Sequence, residues 1–574
     1  MDGKDYIAYF TMEIGLDEAI PTYAGGLGIL AGDTVRSAAD LSIPMVAITL
    51  LHRKGYFRQR IDASGWQSEE DVAWPIADLL QEMNPRCSVE IEGRQVHLRA
   101  WKYEVKGVSG YSVPIYFLDT DLDQNAATDR IITDHLYGGD TRYRLCQELV
   151  LGIGGVRMLR ALGYNEIKRF HMNEGHAALL TLELAHELSK QAWNMAYEQT
   201  PHIITPEMVH LVKPKCIFTT HTPVAAGQDQ FPVELVHLVM TGYQGVFAER
   251  EQEFCPDCIM NMTYLALDNS HYINGVAKSH GHVAQQMFSK YDIHSITNGV
   301  HVATWAAPPI AKMFDEHIQG WREDNASLRY ALNISKRHVW TAHRQAKVSL
   351  IDYLNKLTGI GFEPDVFTIG FARRAAVYKR AELLFWDTAR LIEIAKNVGP
   401  FQLVYAGKAH PQDIPGKEVI RRIHEVKDAL KGKIRMVYLE NYGIQLAKLI
   451  TSGVDLWLNT PQPPLEASGT SGMKAAVNGI PSFSILDGWW GEGCIEGVTG
   501  WAIGGNKDAN MESRDSRAED AHALYNKLEM IILPMFCNEP DRYAEVMRHS
   551  IALNASFFNT ERMLSQYISK AYFT

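Results

Sequence analysis

The sequence predicts an α/β protein built from two doubly wound domains that face each other across a cleft. In the C-terminal half, apolar β-rich runs alternate with helix-length segments, and the N-terminal half repeats this alternation. Strands that alternate with helices indicate a parallel sheet covered on both faces. Ligands of such folds bind at the carboxyl ends of the strands, so the cleft between the domains is the expected site.

Five strands are predicted in each half from the apolar runs. They fall at 6–10, 45–51, 113–119, 168–173 and 215–220, and at 367–375, 401–409, 434–442, 454–460 and 480–486. Helices are predicted near 142–162, 175–190, 273–290, 379–397, 416–430, 444–452 and 468–479. We expect an N-terminal α/β domain (1–302), a connection (303–335), a C-terminal α/β domain (336–545) and a C-terminal helix (546–574) that packs back on the N-terminal domain.

The composition is ordinary for a globular protein: 46% of the 574 residues are hydrophobic and 21% are charged. A net charge of −11 argues against a nucleic-acid partner. Neither a signal peptide nor an apolar run of the roughly 18 residues that a membrane helix requires is visible. We therefore expect a cytoplasmic protein without a membrane partner.

Seven cysteines are spread along the chain, which is typical of free thiols in a reducing compartment. The tightest pair is Cys255 and Cys258. A zinc site would require a second pair at similar spacing, and none follows. We predict no metal site.

The segment 466–479, Glu-Ala-Ser-Gly-Thr-Ser-Gly-Met-Lys-Ala-Ala-Val-Asn-Gly, predicts an anion-binding site. Glycine, serine and threonine at a helix entrance present N–H groups and hydroxyls to an anion, aided by the helix dipole. Lys474, about one turn into the helix, can pair with the anion or, if desolvated, form a Schiff base. The residue types alone leave open a capped helix with a solvent-facing lysine.

A second glycine-rich turn, with Gly25, Gly26 and Gly28, also leads into a predicted helix. The spacing from Gly26 to Ala31 formally matches a dinucleotide fingerprint. That fingerprint requires a strand directly before it and an acidic residue about 20 positions later, and both conditions fail here. A phosphate cradle and a tight turn that needs positive φ remain as interpretations.

Four cationic residues lie within eight positions at the end of the strand predicted at 367–375: Arg373, Arg374, Lys379 and Arg380. Such a cluster at the carboxyl end of a parallel strand is costly unless an anion binds there. A solvated charge run is the alternative. The position favours phosphate, to which arginine offers bidentate contacts and lysine a point charge.

Polar clusters also follow predicted strands of the N-terminal half, and they offer groups that hydrogen-bond sugar hydroxyls. They are His171-Met-Asn-Glu174-Gly-His176, Thr219-Thr-His221-Thr222 and Asn298-Gly299-Val300-His301. Because several such clusters end successive strands, we expect them to meet at the cleft.

Together these segments resemble the α-glucan phosphorylase family, whose members act on glycogen, starch or maltodextrin. The resemblance covers most of the chain in order, and its most specific part is 466–474, which is similar to the cofactor-lysine signature of that family. Further motifs with a family resemblance are Gly25-Gly26-Leu-Gly28, Asn274-Gly-Val-Ala-Lys278, Thr297-Asn298-Gly299, Gly407-Lys408-Ala409, Leu439-Glu-Asn-Tyr442 and Leu486-Asp487-Gly488.

The resemblance implies the glycosyltransferase B-type fold, in which two Rossmann-like domains enclose the active site. It implies retaining phosphorolysis of α-1,4-glucans to α-D-glucose 1-phosphate, with orthophosphate as the second substrate and pyridoxal 5'-phosphate as the cofactor. The cofactor phosphate would take part in acid–base catalysis, while the Schiff base on Lys474 would serve as an anchor. The C-terminal domain would carry the cofactor, and a homodimer is compatible with the family.

The resemblance also implies residue roles. Catalysis would involve Lys474, Arg374, Lys379 and His221. The cofactor would contact Gly25, Gly26, Thr470, Ser471, Arg373 and Tyr442. The glucosyl unit would be held by Glu466, Ser468, Gly469, Asn298 and Tyr378.

The chain departs from the family pattern at the cofactor phosphate, because Gly443 stands where the family has arginine. Arg373 stands where lysine is common. A glucan synthase of the same fold with a nucleotide-sugar donor and a catalytically silent glucan-binding protein therefore remain alternatives. A pyridoxal aminotransferase would leave the cations at 373–380 without a role. The regulation of the longer muscle-type enzymes is not expected.

Overall fold

The computed structural model describes residues 5–193, 205–224, 227–243, 256–505 and 516–573, so Cys255 lies outside the described residues. The strands of these ranges are numbered in chain order. They are β1 Tyr6–Thr11, β2 Met45–Leu50, β3 Arg58–Ile61, β4 Gln67–Glu70, β5 Gln81–Ile91, β6 Arg94–Lys106, β7 Ser112–Asp119, β8 Ile167–Asn173, β9 Cys216–Thr219, β10 Gln230–Pro232, β11 Ile259–Asn261, β12 Tyr272–Gly275, β13 His294–Ser295, β14 Phe367–Ala372, β15 Phe401–Ala406, β16 Arg435–Leu439, β17 Leu456–Asn459, β18 Ser482–Ile485 and β19 Gly500–Ile503.

The α-helices of the described ranges cover both faces of the sheets or cap their ends. They are Gly26–Asp40, Ile76–Leu79, Ala127–Arg130, Thr141–Leu149, Gly155–Ala161, Leu180–Trp193, Pro206–Val212, Val233–Val239, Met262–Asp268, Lys278–Met287, Val302–Trp305, Pro308–His317, Lys336–Thr358, Thr388–Asn397, Ile414–Ala429, Ile444–Gly453, Ser471–Val477, Trp490–Gly493, Arg517–Lys527, Leu533–Asn538, Pro540–His549 and Thr560–Tyr567.

The first large sheet has the order β13-β12-β9-β8-β1-β2-β7-β6-β5 among the described strands. The run from β13 to β7 is parallel, whereas β6 and β5 add an antiparallel edge. From β7 to β13 the parallel strands follow the sequence order 3-2-1-4-5-6-7. The order therefore reverses between β1 and β8, as in a doubly wound sheet.

The second large sheet is parallel throughout its described strands, in the order β16-β15-β14-β17-β18-β19. Counted along the chain, this order is 3-2-1-4-5-6, and it reverses between β14 and β17. The prediction of two doubly wound α/β sheets is confirmed.

Several sequence-based boundaries were wrong for identifiable reasons. The strands β5 and β6 were missed because their exposed positions alternate with buried ones and carry charge, so no continuous apolar run marks them. The predicted helix at 273–290 begins with β12, and only Lys278–Met287 is helical. The predicted helix at 379–397 reduces to Thr388–Asn397, because the Asp387 side chain accepts the N–H of Arg390 and caps a new helix there.

The last helix, Thr560–Tyr567, contacts the first sheet's layer. Thr560 Oγ1 lies 2.6 Å from Ser37 Oγ, and Tyr567 joins the buried cluster that contains Ile7 and Tyr9. The stretch after β13 packs against the second sheet, because Trp305 and Trp321 belong to the core of that sheet. The domain limits drawn from the sequence remain proposals. Within the described residues, no helix has the length and apolarity needed to cross a membrane.

Candidate active site

A cleft of about 1170 Å³ lies between the carboxyl ends of the two sheets. On one side its wall includes the loops that follow β1 and β8, and on the other side the loops that follow β14 and β17. In each sheet the strand order reverses between these two strands. Loops at such points leave in opposite directions and open a crevice. The structure brings every residue to which the family resemblance assigned a role onto the wall of this cleft: Gly25, Gly26, His221, Asn298, Arg373, Arg374, Tyr378, Lys379, Tyr442, Glu466, Ser468, Gly469, Thr470, Ser471 and Lys474.

Glu466 is the centre of a buried ion cluster in the second wall. Its Oε2 lies 2.6 Å from Arg373 Nη2 and 2.5 Å from Lys379 Nζ. Burial disfavours the carboxylate, but the two cations outweigh burial and lower the pKa of Glu466 to about 2. The carboxylate is therefore charged at neutral pH and fixes the direction of both cations.

The basic run at 373–380 divides between two roles. Arg374 is exposed on the cleft wall and forms no ion pair with another described residue. Arg380 points away, because its guanidinium donates to the carbonyls of Thr460 and Pro461 and pairs with Asp520 at 2.9 Å. The alternative of a solvated run is wrong, since Arg373, Lys379 and Arg380 are buried.

Lys474 is buried, with 6% of its surface exposed, so the alternative of a solvent-facing lysine is wrong. Its Nζ lies 4.1 Å from the centroid of the Trp305 ring, which covers it on one side. Burial lowers the pKa of the Lys474 amine to about 8, and the charge of Asp33 opposes this only in part. A substantial neutral fraction at physiological pH is what a nucleophilic amine requires.

The glycine loop is held by Glu13 from the end of β1. Glu13 Oε2 accepts the N–H groups of Ala24 and Gly25 at 2.6 and 3.2 Å. The loop glycines at 25–28 do not have positive φ, so that interpretation is wrong. Gly28 is required for a different reason, because a Cβ there would lie 2.6 Å from Glu13 Oε2. Added Cβ atoms at Gly25 and Gly26 would meet open space, which leaves the loop accessible from the cleft.

The N-terminal wall carries Glu174 and His221 at the ends of β8 and β9. Glu174 has φ of +77°, a conformation unfavourable for its side chain, and its carboxylate accepts the N–H of His221 at 2.8 Å. His221 Nε2 lies 2.6 Å from Asn173 Oδ1, an arrangement in which the ring nitrogen donates. Burial lowers the pKa of His221 to about 3, so its ring is neutral.

Two histidines expected at the cleft lie elsewhere. His171 sits within β8 and packs against Tyr9, and its nitrogens bind Tyr572 and Thr219 at 2.8 Å. His301 bonds Asp40 Oδ2 at 2.7 Å. Layers cover both faces of this sheet, so His171, which lies within the strand, is buried whichever face its side chain takes.

Residues missed by sequence reasoning complete the N-terminal wall. Glu148, His176 and Asp229 bring ligating atoms within 4.8 Å of one another, and Arg144 Nη2 lies 3.0 Å from Asp229 Oδ2. Burial disfavours the His176 cation, but Asp229 at 2.6 Å outweighs it and raises the pKa of His176 to about 10. Arg144 and His176 thus both pair with Asp229, while burial raises the pKa of Glu148 to about 8. Only His176 lay in a motif that the sequence analysis had singled out.

Asp487 and Lys408 are further missed groups, although both belong to motifs noted in the sequence. Asp487 Oδ2 accepts the N–H of Glu466 at 2.9 Å, and burial raises its pKa to about 7. Lys408 lines the cleft, and burial lowers its pKa to about 8. Trp305 and Glu13 carried no comparable signal, because their importance depends on partners far away in the chain.

Buried polar atoms without a protein partner cluster in this cleft. They include Arg373 Nη1, Ser468 Oγ and Asn298 Oδ1. Such atoms are costly unless a ligand or water satisfies them. A donor pair from arginine and serine beside a buried amine fits a ligand that carries both an anionic group and an electrophilic carbon.

Comparisons with known proteins agree on one family. A family model described as Carbohydrate phosphorylase matches residues 159–568. The maltodextrin phosphorylase of Thermococcus litoralis is 38% identical over an alignment that covers 99% of this chain and 70% of that protein. The glycogen phosphorylase of Mycobacterium tuberculosis H37Rv is 35% identical, with the same coverage. The glycogen phosphorylase of Aquifex aeolicus is 33% identical and is covered over 86% of its length.

Proposed function

The chain belongs to the carbohydrate phosphorylase family, and on that premise we propose that it cleaves α-1,4-glucans with orthophosphate to release α-D-glucose 1-phosphate. The proposal includes pyridoxal 5'-phosphate as the cofactor and retention of the anomeric configuration. The observation that carries it is the buried Lys474 amine, which shares one cleft with the cations Arg373, Arg374 and Lys379. An amine of lowered pKa beside anion-binding groups suits an aldehyde that carries a phosphate.

The cleft residues fit this cofactor on several counts. Lys474 would be its attachment point, and the space free of Cβ contacts at Gly25 and Gly26 would accommodate its phosphate. Thr470 and Ser471 precede or begin the helix Ser471–Val477, whose first N–H groups would face the same anion. The free Nη1 of Arg373 would supply a charge-assisted donor, and Tyr442 would line the same end. When bound, the cofactor would supply acid–base chemistry at its phosphate, with the substrate phosphate relaying the proton to the leaving glycosidic oxygen.

Arg374 and Lys379 would bind orthophosphate beside that group. Arg374 is available because it pairs with no described carboxylate, and Lys379 is held in place by Glu466. Two cations around phosphate reduce the repulsion between neighbouring anions and stabilise the charge that develops during transfer.

The glucosyl unit would be held by hydroxyl, amide and imidazole groups on the cleft wall. Ser468 and Asn298 offer unpartnered atoms, while Gly469 and Tyr378 shape the surface beside Glu466. The neutral His221, oriented by Asn173 and Glu174, would bind a sugar hydroxyl next to the reacting carbon. Buried polar groups of this kind discriminate strongly for a ligand that satisfies them.

The proposed reaction breaks one bond, forms one bond and transfers one proton. The glycosidic C–O bond breaks, an orthophosphate oxygen bonds to the anomeric carbon, and the shortened glucan leaves with a proton on its new hydroxyl. In the net reaction this is the proton that orthophosphate loses when it becomes the ester. Glycosidases use two carboxylates for comparable steps. Here Glu466 is bound to two cations, so cationic groups and phosphate would take over that work.

Lys474→Ala tests the assignment. The purified wild-type protein should show a pyridoxal absorbance band and phosphate-dependent release of glucose 1-phosphate from maltodextrin, and the variant should lack both. Lys396→Ala, on a helix outside the cleft, is the control. Full phosphorolysis without the chromophore would overturn the cofactor assignment. Turnover that requires a sugar nucleotide, or glucan binding without turnover, would support the synthase or the silent binding protein instead.

A further inference from the structure

The hairpin formed by β3 and β4 belongs to the N-terminal half but docks on strand ends of the second sheet. Two glutamines, Gln59 and Gln67, project from its inner face and are fully buried. Burying an amide without hydrogen bonds is unfavourable. The hydrogen-bond partners of these two side chains therefore identify the segments that the hairpin stabilises.

Gln59 forms a reciprocal pair with Asn441, which follows β16. The Gln59 N–H donates to Asn441 Oδ1 at 2.6 Å, and Asn441 returns two bonds of 3.0 Å, from its N–H to Gln59 Oε1 and from Nδ2 to the Gln59 carbonyl. Asn441 has φ of +55°, in the left-handed region. Three bonds from one partner hold it in this unfavourable conformation, and the next residue is Tyr442 of the cleft.

The two glutamines also form hydrogen bonds with the segment that follows β15. Gln59 Nε2 donates to the Gly407 carbonyl and to Gln67 Oε1, both at 2.9 Å. Gln67 exchanges bonds with Ala409, donating to its carbonyl at 3.0 Å and accepting its N–H at 2.9 Å. Lys408, between these residues, donates from Nζ to the Phe57 carbonyl at 2.9 Å. The residues 407–409 are thus held in place by residues of the N-terminal half.

The segment 407–409 lies directly against the loop after β14, which contains Arg373 and Arg374. The N–H of Arg373 bonds the Ala406 carbonyl at 3.1 Å, and the N–H of Ala375 bonds the Lys408 carbonyl at 2.9 Å. Gly407 leaves no space, since a Cβ there would lie 1.9 Å from the Arg373 carbonyl oxygen. A shift of Gly407 would therefore be transmitted to Arg373.

We infer that Gln59 is a positioning residue for the phosphate end of the cleft: it holds Asn441 and Gly407 so that Tyr442, Lys408 and Arg373 keep their places. This inference rests on the proposed function, because that end would bind the cofactor phosphate and orthophosphate. It also gives the motifs Gly407-Lys408-Ala409 and Glu440-Asn441-Tyr442 a common role as the surface that receives the hairpin.

Gln59→Ala is the first test, and its readouts are the dissociation constant for pyridoxal phosphate, from fluorescence titration of the cofactor-free protein, and the KM for orthophosphate. Loss of several amide hydrogen bonds predicts a dissociation constant and a KM raised about tenfold, with a smaller change in kcat. Arg60→Ala is the matched control, because Arg60 lies on the solvent face of the same hairpin and pairs with the exposed Glu70. It should match wild type.

A second variant separates positioning from general loss of structure. Asn441→Gly keeps the left-handed backbone accessible but removes the amide side chain. The Asn441 side chain bonds the backbone N–H and carbonyl of Gln59, which Gln59→Ala leaves in place, so this variant tests the contact from the other side and should by itself raise the same two constants. If Gln59→Ala does not fold, Gln59→Met keeps most of the buried side-chain volume and removes the amide, and it should raise the same two constants.

The inference would be overturned by a folded Gln59→Ala protein with wild-type constants, or by a folded Asn441→Gly protein with wild-type constants. A wild-type protein that binds no pyridoxal phosphate and releases no glucose 1-phosphate would overturn the proposed function and this inference together. A wild-type protein that does both, beside a Gln59→Ala protein that matches Arg60→Ala, would overturn this inference alone.

Discussion

The amine of Lys474 lies against the face of Trp305, 4.1 Å from the ring centroid, although Trp305 belongs to the stretch that connects the two sheets. Trp305 is itself fixed by a 2.7 Å bond from Nε1 to Asp33, on the helix that follows the glycine loop. The contact joins the predicted cofactor lysine to the opposite wall of the cleft. It excludes water from the amine and thereby lowers the pKa of Lys474.

Trp305→Leu should raise the pKa of Lys474 from about 8 toward the ordinary value of 10.5, because water would reach the amine and Asp33 would lose a partner. The neutral amine is the nucleophile, so the rate of pyridoxal attachment should rise with pH and level off above this pKa. Absorbance-monitored attachment between pH 6 and 10 measures the midpoint. Trp386→Leu, at an exposed tryptophan, should leave it unchanged. A midpoint at or below 8 in Trp305→Leu would contradict the argument.

Glu466→Gln should bind orthophosphate more tightly in the cofactor-free protein and yet turn over more slowly. The carboxylate occupies Arg373 and Lys379, so its removal frees two cations for phosphate, while the glucosyl unit loses a strong acceptor. We expect binding roughly ten- to a hundredfold tighter by calorimetry, from the roughly 1.5–3 kcal/mol typical of charged hydrogen bonds. Glu363→Gln removes a carboxylate from the exposed pair with Arg435 and serves as the control. Weaker phosphate binding in Glu466→Gln would be inconsistent with this account.

Asp487→Asn should change how stability depends on pH. Burial raises the pKa of Asp487 from 3.8 to about 7, so between these values the folded protein keeps a proton that the unfolded chain releases. The free energy of unfolding therefore falls as pH rises from about 4 to 7, by up to about 4 kcal/mol at 1.36 kcal/mol per pKa unit. Asparagine does not titrate, so this decrease should disappear in denaturant unfolding measured at pH 5 and 8. Parallel curves for the two proteins would refute the assignment.

Arg562→Lys should weaken glucan binding through Asn298. The Arg562 guanidinium donates to the carbonyls of Thr297 at 2.6 Å and Asn298 at 3.0 Å, and lysine cannot make both bonds in the same geometry. We expect a KM for maltodextrin raised several-fold and a loss of about 1–3 kcal/mol in the free energy of unfolding. The control is Arg542→Lys, at an exposed pair with Glu539. An unchanged KM in a destabilised Arg562→Lys protein would reduce Arg562 to a purely structural role.

Most of the second sheet was predictable because its strands are buried on both faces and read as continuous apolar runs. The antiparallel edge β5–β6 was not, since strands with one exposed face carry charge at alternate positions. The sequence also did not show which histidines reach the cleft. His221 follows a strand end and reached the cleft, whereas His171, two positions before the end of β8, turned into the core.

By itself the sequence determined the alternation that produces two doubly wound sheets, the helix entrances and the charged strand ends, because local composition and spacing encode them. The roles of Lys474, Arg373 and Glu466 were implied by the resemblance of their motifs to the family. Only the tertiary structure decided the partners that tune those groups. Trp305 covers Lys474, Glu466 pairs with both Arg373 and Lys379, and Gln59 reaches Asn441 from the other half of the chain. The physical reason is that burial and charge act over a few ångströms in space, and chain spacing does not report such distances until both sheets have folded.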